Sequence, residues 1–172
     1  MTDRMNYLAW GLAALTLFAA APPDALAQEH RVRVLSSWDD PVKLAGGTET
    51  VYHYEVSHNY DTGVSTRRAF DASGTLIETL VMTTPPGPTP EEIDEAKAII
   101  AADEALSAAV SRSSATVDGG FLLYADQHPA CVAPARCLQF DLIPPSKLES
   151  VQFVVVDLAS QQVVERDLFP DL

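Results

Sequence analysis

The stretch that most restricts this chain is Thr83 to Arg112, TTPPGPTPEEIDEAKAIIAADEALSAAVSR. Thr83 to Pro90 holds four prolines and a glycine. It cannot lie inside a sheet, because proline has no N–H to give the ladder. It reads as a stiff, extended connection; a subdomain boundary or a proline-rich recognition site are the alternatives. From Thr89 the signals change to those of a helix start. Thr89 is a good N-cap, Pro90 sits where its missing donor costs nothing, and Glu92 completes a capping box. Glu91, Glu92, Asp94 and Glu95 favour the positive end of the helix, and Arg112 lies near the negative end. Ile93, Ala96, Ile100, Ala101, Leu106, Ala109 and Val110 recur at three- and four-residue steps, with Ile99 beside them. One long helix over Thr89 to Arg112 is therefore expected. With so few large apolar residues it needs a sheet beneath it.

Strand-like segments flank this helix on both sides. Before it, Arg31 to Leu35 reads as a first strand, Trp38-Asp39-Asp40-Pro41 as a break, and Ala45 to Thr48 as a loop. From Glu49 the alternation sharpens. Tyr52, Tyr54, Val56, His58 and Tyr60 share one face, and Val51, His53, Glu55, Ser57 and Asn59 the other. Asp61-Thr62-Gly63 turns the chain, Val64 to Phe70 returns, and Thr75 to Met82 adds a further strand. Asp-Thr-Gly also occurs in aspartic proteases, but that chemistry needs two carboxylates sharing a proton, and the tripeptide occurs once here.

After the helix, Val117 to Tyr124 is a strand interrupted at Gly119-Gly120, where a bulge or tight turn is expected. Leu138, Phe140 and Leu142 alternate along the next strand. Val151 to Leu158 is the most apolar and belongs in the middle of a sheet, and Gln162 to Leu168 closes at an edge. Asp157 is expected to face solvent or to cap the turn that follows it.

Compartment is written at the N-terminus. Arg4, the apolar run Leu8 to Ala21 and the small-x-small triplet Ala25-Leu26-Ala27 read as a signal peptide over 1–27, with cleavage before Gln28. The run falls short of the ~20 residues that comfortably span a bilayer, though an uncleaved anchor is the alternative. Removing it takes away Asp3, Arg4 and Asp24, and the formal charge moves from −13 to −12. Such a surface repels nucleic acid and anionic lipid and suits a basic partner.

In an oxidising compartment Cys131 and Cys137 are expected to form a disulfide across CVAPARC. Were they reduced, His128, Cys131 and Cys137 could bind zinc or copper, or pair as nucleophile and base. Of the other histidines, His30 lies near the mature start, and His53 and His58 face opposite sides of their strand. The tyrosine face Tyr52, Tyr54, His58 and Tyr60 is the best candidate for a partner or ligand surface, since tyrosine gives contact area with little entropy loss. Burial as sheet core is the alternative.

The helix TPEEIDEAKAII and the closing hairpin VVVDLASQQVVERDL resemble cystatin-like folds. They are also similar to the small N-terminal domains of copper amine oxidases and to PepSY-type exported domains. The resemblance covers Thr89 to Leu168 and none of the preceding strands, and it implies an accessory domain. The copper-binding histidines and quinone-forming tyrosine of amine oxidases lie in a separate catalytic domain, so no position here inherits them.

The expected fold is α+β: an antiparallel β-meander followed by one long helix packed on a roughly four-stranded antiparallel sheet. Residues 1–27 are the signal, 28–84 the meander, and 85–172 the helix-plus-sheet region, which is either separate or continuous with the meander. The expected function is that of an exported, non-enzymatic protein-binding or accessory module in the periplasm or outside the cell. Its expected partner is another envelope protein with a basic surface, with no catalytic residues, metal or cofactor, no nucleic acid and no membrane span after cleavage. A small-molecule or metal carrier is the alternative, and a hydrolase the next.

Overall fold

A computed structural model describes residues 31–145 and 152–166. The signal-type segment 1–27, the cleavage point before Gln28, His30 and the strand end at Leu168 lie outside the described residues. The elements are β1 (Val32–Lys43), β2 (Glu49–Asn59), β3 (Val64–Phe70), β4 (Leu76–Val81), α1 (Pro90–Ala102), α2 (Glu104–Ser113), β5 (Thr116–Leu123), β6 (Cys137–Ile143), β7 (Gln152–Asp157) and β8 (Gln162–Arg166). The strands form two four-stranded antiparallel sheets, ordered β1-β2-β3-β4 and β5-β6-β7-β8. The chain is α+β, but the architecture corrects the expectation of a meander followed by one long helix on a single sheet.

The expected helix is two helices. Its start forms as the sequence implies: the Thr89 hydroxyl accepts from the Glu92 N–H, and the Glu92 carboxylate accepts from the Thr89 N–H. The break comes at Asp103, which is extended (φ −73°, ψ 116°) and caps α2 by accepting from the Leu106 N–H at 3.1 Å. Its carboxylate also pairs with Arg166 of β8. An aspartate that can cap a new helix and meet a cation ends the first one, although the apolar spacing runs through it.

The first strand is also longer than expected. Trp38-Asp39-Asp40-Pro41 lies within β1, paired residue for residue with Tyr54 to Val51. Proline is tolerated there because β1 is an edge.

The main core lies between α1, α2 and the second sheet. Ala96, Ile100 and Leu106 pack with Leu138, Phe140, Leu142, Val154, Val156 and Leu158. Tyr60, just beyond β2, is the residue from the first-sheet region that joins this cluster. Helix α1 lies against β5, β7 and β8. Asp157 caps the β7–β8 turn, accepting from the N–H groups of Ala159 and Ser160 and also from that of Arg136. Among the described residues no helix is long and apolar enough to cross a membrane.

The β5 irregularity falls between Gly119 and Phe121, where it lets the strand approach α1 closely. A Cβ on Gly120 would stand 2.8 Å from Ile93 Cγ1, and the residue has φ +102°. Gly120→Ala should therefore destabilise the protein by about 1–3 kcal/mol through backbone strain alone, with the clash adding to it. Gly87→Ala, in open space without a positive φ, should be close to neutral. Urea unfolding of both variants checks this, and equal midpoints would contradict the close approach.

Candidate functional site

Strand β2 carries the tyrosine face, and its two ends meet different surroundings. At the end next to α1, Tyr60 and His58 are buried and stack edge to face with centroids 4.9 Å apart. The Tyr60 hydroxyl donates to Glu92 Oε1 at 2.5 Å. Glu92, fully buried, also accepts from Arg136 Nε at 2.5 Å and Nη2 at 2.8 Å. Arg136, 2 % exposed, reaches the carbonyls of Pro86 and Gly87 as well, which holds the proline-rich connection in place. Arg33 of β1 lies over the Tyr60 ring at 5.4 Å and bonds Glu95 at 2.6 Å. The β2–β3 turn reaches the same region: a Cβ on Gly63 would lie 3.0 Å from Pro134 Cα and 3.1 Å from Ala133 Cβ.

This cluster governs the charges around it. Burial would push the Glu92 carboxyl up, but the hydrogen bonds from Arg136, Tyr60 and Thr89, together with the Arg136 charge, hold it below the usual value. Burial, then the hydrogen bond and charge of Glu92, push the Tyr60 phenol up. Burial and the Arg136 charge, partly opposed by Glu92, take His58 down to about 4. His58 shares a hydrogen bond with the Ser65 hydroxyl at 2.9 Å and is neutral near pH 7. Composed of an acid, a phenol, a guanidinium and an imidazole, the cluster contains the ingredients of acid–base chemistry. Its carboxylate, however, is engaged by three protein partners inside the core, so its role is to hold parts together.

The other end of the face is open. Trp38 stacks on Tyr54, with centroids 5.4 Å apart and planes 15° apart. Arg67 lies over the opposite side of that pairing, 5.6 Å from the Tyr54 centroid, and bonds Glu78 at 3.4 Å. Strand pairing sets Asp40 beside Tyr52 and Leu80 beside Arg67 on the same face. Trp38 is 42 % exposed and Leu80 also faces solvent, while Tyr52, Tyr54 and Arg67 are half-buried. The four predicted residues therefore divide. Tyr52 and Tyr54 belong to an accessible surface, and His58 and Tyr60 to the core junction.

The reverse face of the first sheet carries a depression of ≈ 510 Å³ lined by Asp39, Val51, His53, Glu55, Phe70 and Asp71, among others. His53 Nδ1 lies 2.8 Å from Asp39 there. Thus His53 and His58 do sit on opposite sides. Cys131 and Cys137 are bonded to each other, with Cα atoms 5.6 Å apart. His128 is held by Glu165 at 3.2 Å and accepts from the Ala130 N–H. Neither arrangement matches the reduced metal or nucleophile alternatives. Among the described residues no group of three His, Cys, Asp or Glu side chains is placed to hold a metal ion.

Sequence reasoning missed Trp38, Arg67, Glu92 and Arg136 as site or junction residues. Trp38 had a usable signal: it and Asp40 alternate in step with a strand, although Asp39-Asp40-Pro41 reads as a break. Glu92 and Arg136 are 44 positions apart, and nothing local links them. No protein-family model matches this chain, and no curated protein matches it.

Stability should fall on acidification through two groups. The His58 pKa is depressed in the folded state, so its contribution is complete above the unfolded value of 6.5 and is lost as pH falls through about 4. The Glu92 pKa is also depressed, so its contribution is lost only below the ordinary carboxylate value of 4.5. Urea midpoints measured from pH 8 to pH 4 should decline, and His58→Phe should flatten the part between 6.5 and 4. An unchanged slope in that variant would show that the neutral buried imidazole is not its source.

Proposed function

We propose that this chain is an exported, non-enzymatic protein-binding or accessory module of the cell envelope. Its docking surface is the open aromatic face of the first sheet. The observation that carries the reading is the Trp38–Tyr54–Arg67 stack, partly exposed and framed by Asp40 and Glu78. Tryptophan, tyrosine and arginine are the residue types that concentrate binding energy at protein interfaces, and a prestacked set loses little entropy on contact. The flanking carboxylates and the chain's formal charge of −13 favour a partner with an apolar ridge bordered by basic residues.

The cystine supports an oxidising compartment, the periplasm or the exterior. The second sheet with α1 across it fits the cystatin-like accessory domain that the sequence resembles, a likeness of shape that by itself names no activity. A second reading, carriage of a small cationic ligand, draws on the depression around Asp39, Glu55 and Asp71 on the reverse face.

The test is recovery of the native complex from the envelope fraction, with the wild-type chain and its variants compared side by side. The wild-type chain should copurify with a protein. Trp38→Ala or Arg67→Ala should weaken that association at least ~10-fold, the size expected of a central interface residue. Phe121→Ser, at an exposed position on the second sheet, should leave it intact. Equal recovery by all four proteins, or a chain that carries only a small ligand lost on His53→Ala, would overturn the reading.

A further inference from the structure

The Trp38–Tyr54–Arg67 stack runs inward from the β1 edge of the first sheet, and its two ends differ. At the inner end three groups are assembled. The Arg67 guanidinium lies 5.6 Å from the Tyr54 ring centroid, and it bonds Glu78 of β4 at 3.4 Å. A ring, a planar cation and a carboxylate follow one another there. At the outer end Trp38 stacks on Tyr54 through one side of its indole, with the planes 15° apart. Strand β1 is the edge, so among the described residues no strand stands beyond the other side of that ring, and Trp38 is 42 % exposed.

Asp40 lies two residues along β1 from Trp38, and side chains two apart on a strand share a face. The other charged side chains of β1 each meet a partner: Arg33 meets Glu95, Asp39 meets His53 and Lys43 meets Glu49. Asp40 is exposed, and among the described residues it has none. The outer end thus presents a ring and a carboxylate side by side, and a cation seated between them gains from both. Tryptophan is the aromatic side chain that attracts cations most strongly. A guanidinium suits the place better than an ammonium. It is planar and more weakly hydrated, so it can lie flat on an indole while its N–H groups donate within its plane to a carboxylate. A lysine head is a compact, strongly hydrated point charge. The chain's formal charge of −13 attracts either cation, so the choice between them rests on shape.

We infer that the partner of this face supplies an arginine whose guanidinium lies on the outer side of the Trp38 ring and donates to the Asp40 carboxylate. The inference rests on the docking surface proposed above and names the chemistry that surface selects. Trp38 holds the guanidinium, and Asp40 is the residue that determines specificity for it. The bound arginine repeats at the sheet edge the order of ring, cation and carboxylate that Tyr54, Arg67 and Glu78 form within the sheet.

Trp10→Phe leaves Trp38 as the chain's one tryptophan, so indole emission then reports on that ring alone. The full chain with this change is titrated at fixed salt with two capped tripeptides, leucine–arginine–leucine and leucine–lysine–leucine. The arginine peptide should change Trp38 emission saturably, with half-saturation at a concentration about five-fold lower than the lysine peptide requires. Adding Asp40→Asn should remove most of that preference. Adding Asp126→Asn instead, which removes the same charge at an exposed turn, should keep it. Equal half-saturation by the two peptides, a preference that survives Asp40→Asn, or no saturable change with the arginine peptide into the tens of millimolar would overturn the inference. Those outcomes leave the docking surface standing on the envelope recovery, where loss of association in Trp38→Ala does not depend on which side chain the partner brings. Recovery without any partner would instead sink the docking surface, and this inference with it.

Discussion

A buried ion pair between Glu92 and Arg136 holds this molecule's parts in relation. Glu92 comes from the first turn of α1, Arg136 from the end of the cystine loop, and Tyr60 from the turn after β2. Burying two charges is costly, and the cost is offset only where geometry is good and the remaining polar atoms are satisfied. Here two Arg136 bonds, one phenol and one backbone N–H converge on a single carboxylate, while the guanidinium also meets backbone carbonyls of the proline-rich connection. Removing one member of such a pair typically costs about 3–5 kcal/mol, because the other is left charged and unpartnered. A hydrophobic replacement of the whole set could match its stability. What it would lose is the definition of which turn meets which helix.

That definition matters because, among the described residues, few other contacts order the first sheet against the rest. The apolar core belongs to α1, α2 and the second sheet, and Tyr60 is the first-sheet-side residue that enters it. Arg33 adds a bond to Glu95, and Gly63 adds a close backbone approach to the cystine loop. All of these contacts lie at one end of the sheet. From that end the strands run out to the Trp38–Tyr54 stack and to the open strand β4, where apolar side chains face solvent on both sides. The layout is thus a firmly packed base with a sheet whose distal aromatic face and β4 edge are exposed.

The sequence disclosed local features well and non-local ones poorly. The start of α1 was legible because a capping box is written in four consecutive residues, Thr89 to Glu92. The strand parity of Tyr52 to Tyr60 was legible for the same reason, since alternation needs no knowledge of neighbours. The break at Asp103 was not, because an apolar stripe passing through it outweighs one capping side chain when Arg166 is out of view. Trp38 was masked by the Asp-Asp-Pro that follows, which signals a turn unless the strand is known to be an edge. Whether a tyrosine on that face is buried or open depends on what α1 and the cystine loop cover, and they cover only the Tyr60 end.

The most direct test of this account is hydrogen exchange of backbone amides in the native protein and in Tyr60→Phe. That variant keeps the ring in the core but removes its bond to Glu92. The account predicts faster exchange at Ser57 to Tyr60 and across β3, with β6 and β7 as protected as in the native chain. Uniform loss of protection in both sheets, or no change in either, would contradict the claim that the Glu92–Arg136–Tyr60 cluster is what fastens the first sheet to the helical half.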